Sequence, residues 1–234
     1  MSVLEETDVK GPSLFGVAFF AVLFALIGAL LCFMLLVSIS PKPFNSLAEC
    51  ESHLEKNPES GLLNAYYFRG TSSSSKEWSL KRETFLTSND TTLILTHSEI
   101  NAWAASRLKK QKLYFSEGDD PSVFASLGVP NFFIDPTQGV HFSMLLEVVL
   151  FGKTINTLLI GRGHFAEDEP DRFHLSELRL NGAKIPFLEK LSDPLLDILL
   201  EAFDEDAEFV AIGEAWEKVG STELVEDGIR LNVN

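Results

Sequence analysis

The chain has 234 residues, with 34 acidic and 19 basic side chains, a formal net charge of −15 and 45% hydrophobic residues. An acidic surface of this kind repels phosphate backbones, which argues against nucleic acid as a partner. Two cysteines, Cys32 and Cys50, are too few for a disulfide framework, and no Cys/His zinc spacing occurs.

Residues 1–13 form a short acidic tail with Glu5, Glu6 and Asp8 beside a single Lys10. From Leu14 to Ile39 there is no charged residue. About 20 apolar residues cross a bilayer core, so residues 14–39 are predicted to be a transmembrane helix. The run is longer than the ~7–15-residue core of a cleaved signal peptide and lacks a basic head, so it reads as an uncleaved anchor. Ala21, Ala25 and Ala29 form a small-residue stripe of the kind that pairs helices. Lys10 on one flank and Lys42 and Lys56 on the other leave the orientation open. Cys32 and Cys50 lie about 27 Å apart along a helix and cannot pair within one chain.

Residues 40–75 read as a linker with a short helix, and residues 76–234 as an α+β domain. Pro41 to Leu47 is a stiff, extended exit, and Leu47 to Asn57 a short helix stopped by Pro58. Thr71 to Ser75 is a polar break, followed by a helix over Lys76–Leu86 with Trp78, Lys81 and Phe85 at helical spacing. Thr92 to Leu95 is a short apolar run. Thr96-His97-Ser98-Glu99 then has the form of a capping box, opening a helix to about Lys109. Its expected inner face is Ile100, Trp103, Ala104 and Leu108, with His97 facing solvent.

The clearest strand is Val140–Phe151, where Val140, Phe142, Met144, Leu146, Val148 and Leu150 alternate without a break. Gly152-Lys153 suits a hairpin turn, Thr154–Ala166 a return strand, and Asp171–Leu180 a third strand. Pro186–Phe203 is predicted to be a helix with a kink at Pro194. Its apolar residues cover an arc of roughly 220°, more than a flat sheet can bury. The expectation is therefore a curved antiparallel sheet, a long-strand meander, wrapped around this helix. Asp204–Lys218 reads as a second helix with Phe209, Ile212, Trp216 and Val219 inward. Thr222–Glu226 and Ile229–Val233 form a closing strand pair about Asp227-Gly228.

Few patterns suggest chemistry. His164, Glu167, Asp168, Glu169, Asp171 and His174 could bind a divalent metal for a hydrolase, but they straddle a turn whose acids read as solvated. His53 and His141 stand alone. Gly161-Arg162-Gly163 lies inside a strand, where glycine permits bending or close packing rather than phosphate binding. No nucleotide-binding, zinc-protease or serine-hydrolase motif is present, and no cofactor is implied. Asn89-Asp90-Thr91 has the form of a glycosylation sequon. A gap between a curved sheet and an apolar helix would hold an acyl chain. The lining candidates are Phe142, Met144, Leu146, Val148, Leu191, Leu195 and Leu199. The default reading of the same residues is a solid core.

The order of elements carries a resemblance. An N-terminal anchor precedes Leu95-Thr-His-Ser-Glu-Ile-Asn-Ala-Trp103, then a meander. Next come Leu180-Asn-Gly-Ala-Lys-Ile-Pro186 before an apolar helix and a closing Glu226-Asp-Gly-Ile-Arg-Leu231. This resembles the uncharacterised membrane-anchored bacterial proteins of the YpmS kind. It is similar, more distantly, to TULIP-like envelope proteins that wrap a sheet around a helix and bind lipid. The resemblance implies an extracytoplasmic domain and no known catalytic residues. The expected function is that of a single-pass, membrane-anchored protein holding a lipid or other apolar ligand. The alternative is a non-catalytic envelope protein with a solid core that meets an envelope partner through its acidic surface.

Overall fold

The computed structural model describes residues 13–57, 65–114, 123–150, 152–165, 172–186 and 188–234. It begins with helix α1 (Leu14–Ser38), capped by the Ser13 hydroxyl, which accepts from the Gly16 amide at 3.1 Å. Its segment Phe15–Ser38 contains an 18-residue window with a mean hydropathy of 3.0, none of it buried in the protein, and is long and apolar enough to cross a membrane.

Strand β1 (Lys42–Phe44), helix α2 (Leu47–Lys56) and strand β2 (Tyr66–Phe68) follow. The stretch expected as a linker carries the anticipated helix and also folds onto the domain. β1 pairs in parallel with β2, and Phe44, Cys50 and Phe68 are buried with Phe133 in a small core. Helix α3 (Glu77–Thr87), strand β3 (Thr91–Thr96) and helix α4 (His97–Arg107) lie where sequence pattern places them. The Thr96 hydroxyl accepts from the Glu99 amide while the Glu99 carboxylate accepts from the Thr96 amide, a complete capping box.

Next come β4 (Gln111–Tyr114), β5 (Val123–Leu127), β6 (Asn131–Asp135), β7 (Gly139–Leu150), β8 (Lys153–Phe165), β9 (Phe173–Leu180) and β10 (Ala183–Lys184). They form a seven-stranded sheet in the order β10-β9-β8-β7-β5-β4, with β6 also on β7. The long β7 takes β6 along Gly139–Ser143 and β5 along Leu146–Leu150 on the same edge, so one long strand organises two short ones. The long-strand antiparallel meander β7–β8–β9 is present, turning at Gly152 with φ +77°. Within it, Gly161 allows close packing: a Cβ there would lie 2.1 Å from the Phe142 ring.

Helix α5 (Leu188–Glu201), containing Pro194, and helix α6 (Ala207–Trp216) precede the hairpin of β11 (Val219–Val225) and β12 (Gly228–Val233). That hairpin joins β3 in a second sheet, ordered β11-β12-β3. Between this sheet, α3, α4, α6 and the start of β7 lies the larger core, with Phe85, Leu93, Trp103, Val140 and Leu231 among its residues. A second core gathers Leu127, Phe142, Met144, Leu159, Leu175 and Leu178 around Ala202 and Phe203, with Leu199 of α5 packed against it. α5 meets the sheet at β9 and leaves Ile198 and Leu200 exposed, at 48% and 42%. The fold is α+β, with an apolar N-terminal helix followed by mostly antiparallel sheets.

One expectation is corrected. His97 is buried, not solvent-facing, because the first turn of α4 lies against the main sheet; its ring stands 5.6 Å from that of Phe133. On the second face of β7, His141 and Ser143 are buried, and the His141 ring stands against Phe68 of β2.

Candidate functional site

The residues read as a groove divide along the sheet. Phe142 and Met144 are buried and share one core with Leu199 and the half-buried Leu146. Val148 is half-buried nearer the tip of β7. Leu191 and Leu195 lie on α5, and their side chains fall outside those described. Among the described residues, Phe142, Met144, Leu146 and Leu199 pack into one core, and the two clefts described below are lined by other residues.

The first cleft lies on the opposite face of the sheet. Three residues in register across neighbouring strands make its floor: His141 of β7, Arg162 of β8 and Glu177 of β9. Arg179 stands one pair further along, and Tyr66, Tyr67 and Phe68 of β2 roof it. Its volume is about 60 Å³, room for a few waters and far below the ~300 Å³ or more of a small-molecule site. Arg162 donates through Nε to the Gln138 carbonyl at 2.8 Å, and Arg179 is paired with Glu177. The His141 ring stands edge-on to Phe68 at 4.9 Å, and its Nε2 has no partner among the described residues. Burial, and then the charge of Arg162, depress the His141 pKa to about 4, against the weaker upward pull of Asp135 and Glu177. The imidazole is thus neutral near pH 7, a buried polar group beside a guanidinium rather than a cation. A second, more open cleft of about 230 Å³ lies at the surface between Lys42, Phe44, Glu49, His53 and Lys56.

Of the candidate metal cluster, His164 and His174 are direct cross-strand partners with ring centroids 6.0 Å apart. Glu167, Asp168, Glu169 and Asp171 lie outside the described residues. Among the described residues, no three His, Cys, Asp or Glu side chains are grouped to hold a metal.

Sequence reasoning missed a set of buried amides. The Asn101 side chain donates to the carbonyls of Thr71 and Phe132 and accepts from the Phe132 amide at 2.7 Å, fixing α4 to β6. Asn131 makes the reciprocal pair with the Gly70 backbone. Glu208 of α6 accepts from the Trp103 indole at 2.5 Å and from Arg82, locking α3, α4 and α6 together. Arg82 lowers the Glu208 pKa, outweighing burial. Asn181, in the turn after β9 at φ +50°, does something different. It donates to the Val37 carbonyl at 2.6 Å and accepts from the Leu158 amide, while the Gly182 amide donates to Leu36 at 3.2 Å. The Val37 carbonyl at the end of α1 is thereby satisfied by the domain, and the Leu36 carbonyl, which also accepts from the Ile39 amide at 3.2 Å, gains a second donor. The signal for this was the Asn-Gly pair, which favours a left-handed turn; its partner was not legible.

No protein-family model matches the chain, and no curated protein matches it.

Proposed function

We propose that this protein is a single-pass membrane protein whose α+β domain is a non-catalytic interaction module held rigidly at the bilayer surface. The observation that carries this reading is the junction of α1 with the Asn181-Gly182 turn. A free tether would place a domain anywhere within its reach, whereas hydrogen bonds to Leu36 and Val37 seat this one on the end of the helix. The close packing of Phe142, Met144 and Leu199 supports a solid core over a ligand slot. The partner surface proposed is α5, where exposed Ile198 and Leu200 lie between exposed Asp197 and Glu201. An apolar centre with an acidic rim suits a protein partner with basic flanks. The extracytoplasmic side follows from the YpmS-like resemblance, and protease accessibility in intact cells tests it. Photocrosslinking from position 198 in membranes tests the interaction. A reproducible neighbour is expected, and a position with none contradicts the reading.

The same exposed residues favour a second reading, in which a lipid chain covers α5. Native mass spectrometry of the detergent-purified full chain distinguishes them. A stoichiometric lipid that survives detergent exchange and is lost in Leu199→Trp supports the lipid reading, and a bare protein supports the first.

A further inference from the structure

The Asn181-Gly182 turn that clasps α1 lies at the end of a row of cations. Arg162 of β8 pairs with Glu177 of β9, Arg179 follows two residues later, and Arg179 pairs with Lys184 of β10. Cross-strand partners and alternate residues share a face, so Arg162, Arg179 and Lys184 run diagonally across three strands on one side of the sheet. Diagonal neighbours stand roughly 7–8 Å apart at the backbone, within reach of long side chains. Arg162 and Arg179 line one cleft with Tyr66, on the face opposite to the core of Phe142 and Leu199.

Much of the donor capacity in this row is open. Arg162 uses Nε on the Gln138 carbonyl and has no ion pair among the described residues. Arg179 is paired with Glu177, and Lys184 is exposed. Asp135, beyond the far end of the cleft, is held by the Thr137 and Gln138 amides. Three cations against the single carboxylate of Glu177 make this row positive, in a chain whose net charge is −15.

The row begins where a spanning α1 leaves the hydrocarbon. At 1.5 Å per residue the 24 residues of Phe15–Ser38 measure about 36 Å, a little over the ~30 Å bilayer core. Val37 and Leu36, held by Asn181 and Gly182, then lie at its edge. Arg179 is two residues from Asn181, at most ~7 Å along the strand, and a headgroup layer is about 5–8 Å deep. Lys184 is two residues from Gly182 on the other side of the turn. The chain that follows α1 runs the same way as the row, with Ala65 beside Gly182 and Phe68 against His141, the partner of Arg162. Tyr66 and Tyr67, half-buried between these points, are of a residue type enriched at membrane interfaces.

We propose that Arg162, Arg179 and Lys184 bind the phosphate of a bilayer lipid headgroup beside the exit of α1. This rests on α1 being a transmembrane anchor and adds a lipid phosphate to what the domain contacts. Guanidinium groups match phosphate oxygens bidentately, and the lysine supplies a point charge at the rim. The cleft, of about 60 Å³, admits phosphate oxygens and excludes an acyl chain, so the lipid tails stay in the bilayer.

The test uses the full chain labelled at arginine Cζ with an NMR-active carbon isotope. It is reconstituted into phosphatidylcholine–phosphatidylglycerol bilayers free of inorganic phosphate, and solid-state NMR reads carbon–phosphorus dipolar dephasing. Of the seven arginines, two are expected to dephase. Arg162→Lys and Arg179→Lys keep the charge and remove one label each, so each should remove half of the dephased signal. Lys184→Gln should weaken the dephasing of both. Dephasing that persists in the double Arg→Lys variant overturns the assignment. No dephasing in a chain that resists alkaline carbonate extraction overturns the site and leaves the anchor standing. A chain that is extracted removes the anchor, and the proposal with it. A galactolipid bilayer with inorganic phosphate as its only phosphorus should give no dephasing. A signal there as large as in phospholipid overturns the lipid source in favour of a soluble anion.

Discussion

Acidification from pH 7 to pH 5 should destabilise the domain through His141. In the native state this ring is buried beneath β2 and its pKa stands at about 4, against 6.5 for a free histidine. Between these values the unfolded chain takes up a proton that the native state does not. The native advantage is therefore complete above the free value and is lost as pH falls towards 4. The full difference amounts to roughly 3 kcal/mol at ~1.4 kcal/mol per unit, of which about 2 kcal/mol falls between pH 7 and pH 5. Asp135, Glu99 and Glu208 all have lowered pKa values, so their contributions are lost only below this window. The assay is urea unfolding of the full chain in micelles, followed by tryptophan fluorescence. Trp78, Trp103 and Trp216 all belong to the larger core or pack against it, so the signal reports the domain and not α1. His141→Phe removes the titration and keeps a ring among Phe68 and Phe133. Its stability should be nearly flat over the same range. An unchanged slope in His141→Phe would refute the assignment.

Glu208→Ala leaves Arg82 and the Trp103 indole without their shared acceptor, at side-chain exposures of 17% for Arg82 and 10% for the lost carboxylate. A loss of about 2 kcal/mol is expected by urea unfolding, because the half-buried guanidinium keeps only the exposed Glu83 at 3.5 Å and the Trp103 indole loses its acceptor. Gly161→Ala forces a methyl group to within 2.1 Å of the Phe142 ring. About 2 kcal/mol should be lost, with part regained in Gly161→Ala/Phe142→Leu, measured as a double-mutant cycle. Asn181→Ala removes the bond to Val37, and the distance distribution between spin labels on α1 and on the domain should broaden. A distribution as narrow as that of the wild type would show that the junction does not depend on this side chain.

Local chemistry made much of this fold legible. The uncharged run of α1, the Thr96–Glu99 capping box, the alternation along β7 and the Asp227-Gly228 turn each encode their element within a few residues. The short strands β4, β5 and β6 were not legible, since Gln-Lys-Leu-Tyr or Asn-Phe-Phe-Ile-Asp becomes a strand only by pairing with a neighbour or with the long edge of β7. His97 was misplaced for a similar reason. A residue after a cap usually meets solvent, but here a distant strand covers it. The polar floor of His141, Arg162 and Glu177 depends on register across three strands, and no single segment contains that information. The Asn181 junction joins residues 144 positions apart in the chain.

The order β11-β12-β3 has a consequence for how the chain is made. β3 pairs through Leu93 with Leu231, and Gly228 with Thr96, so this sheet cannot close until residues 228–233 have been synthesised. At ~5–20 residues per second that leaves β3 without its partner for on the order of 10 s. During that interval the apolar edge carrying Leu93 and Leu95 is open to other chains, while α1, made first, can already be in the bilayer. On the proposed reading of α1 as an anchor, early insertion would hold each nascent domain at the bilayer while β3 waits for β12.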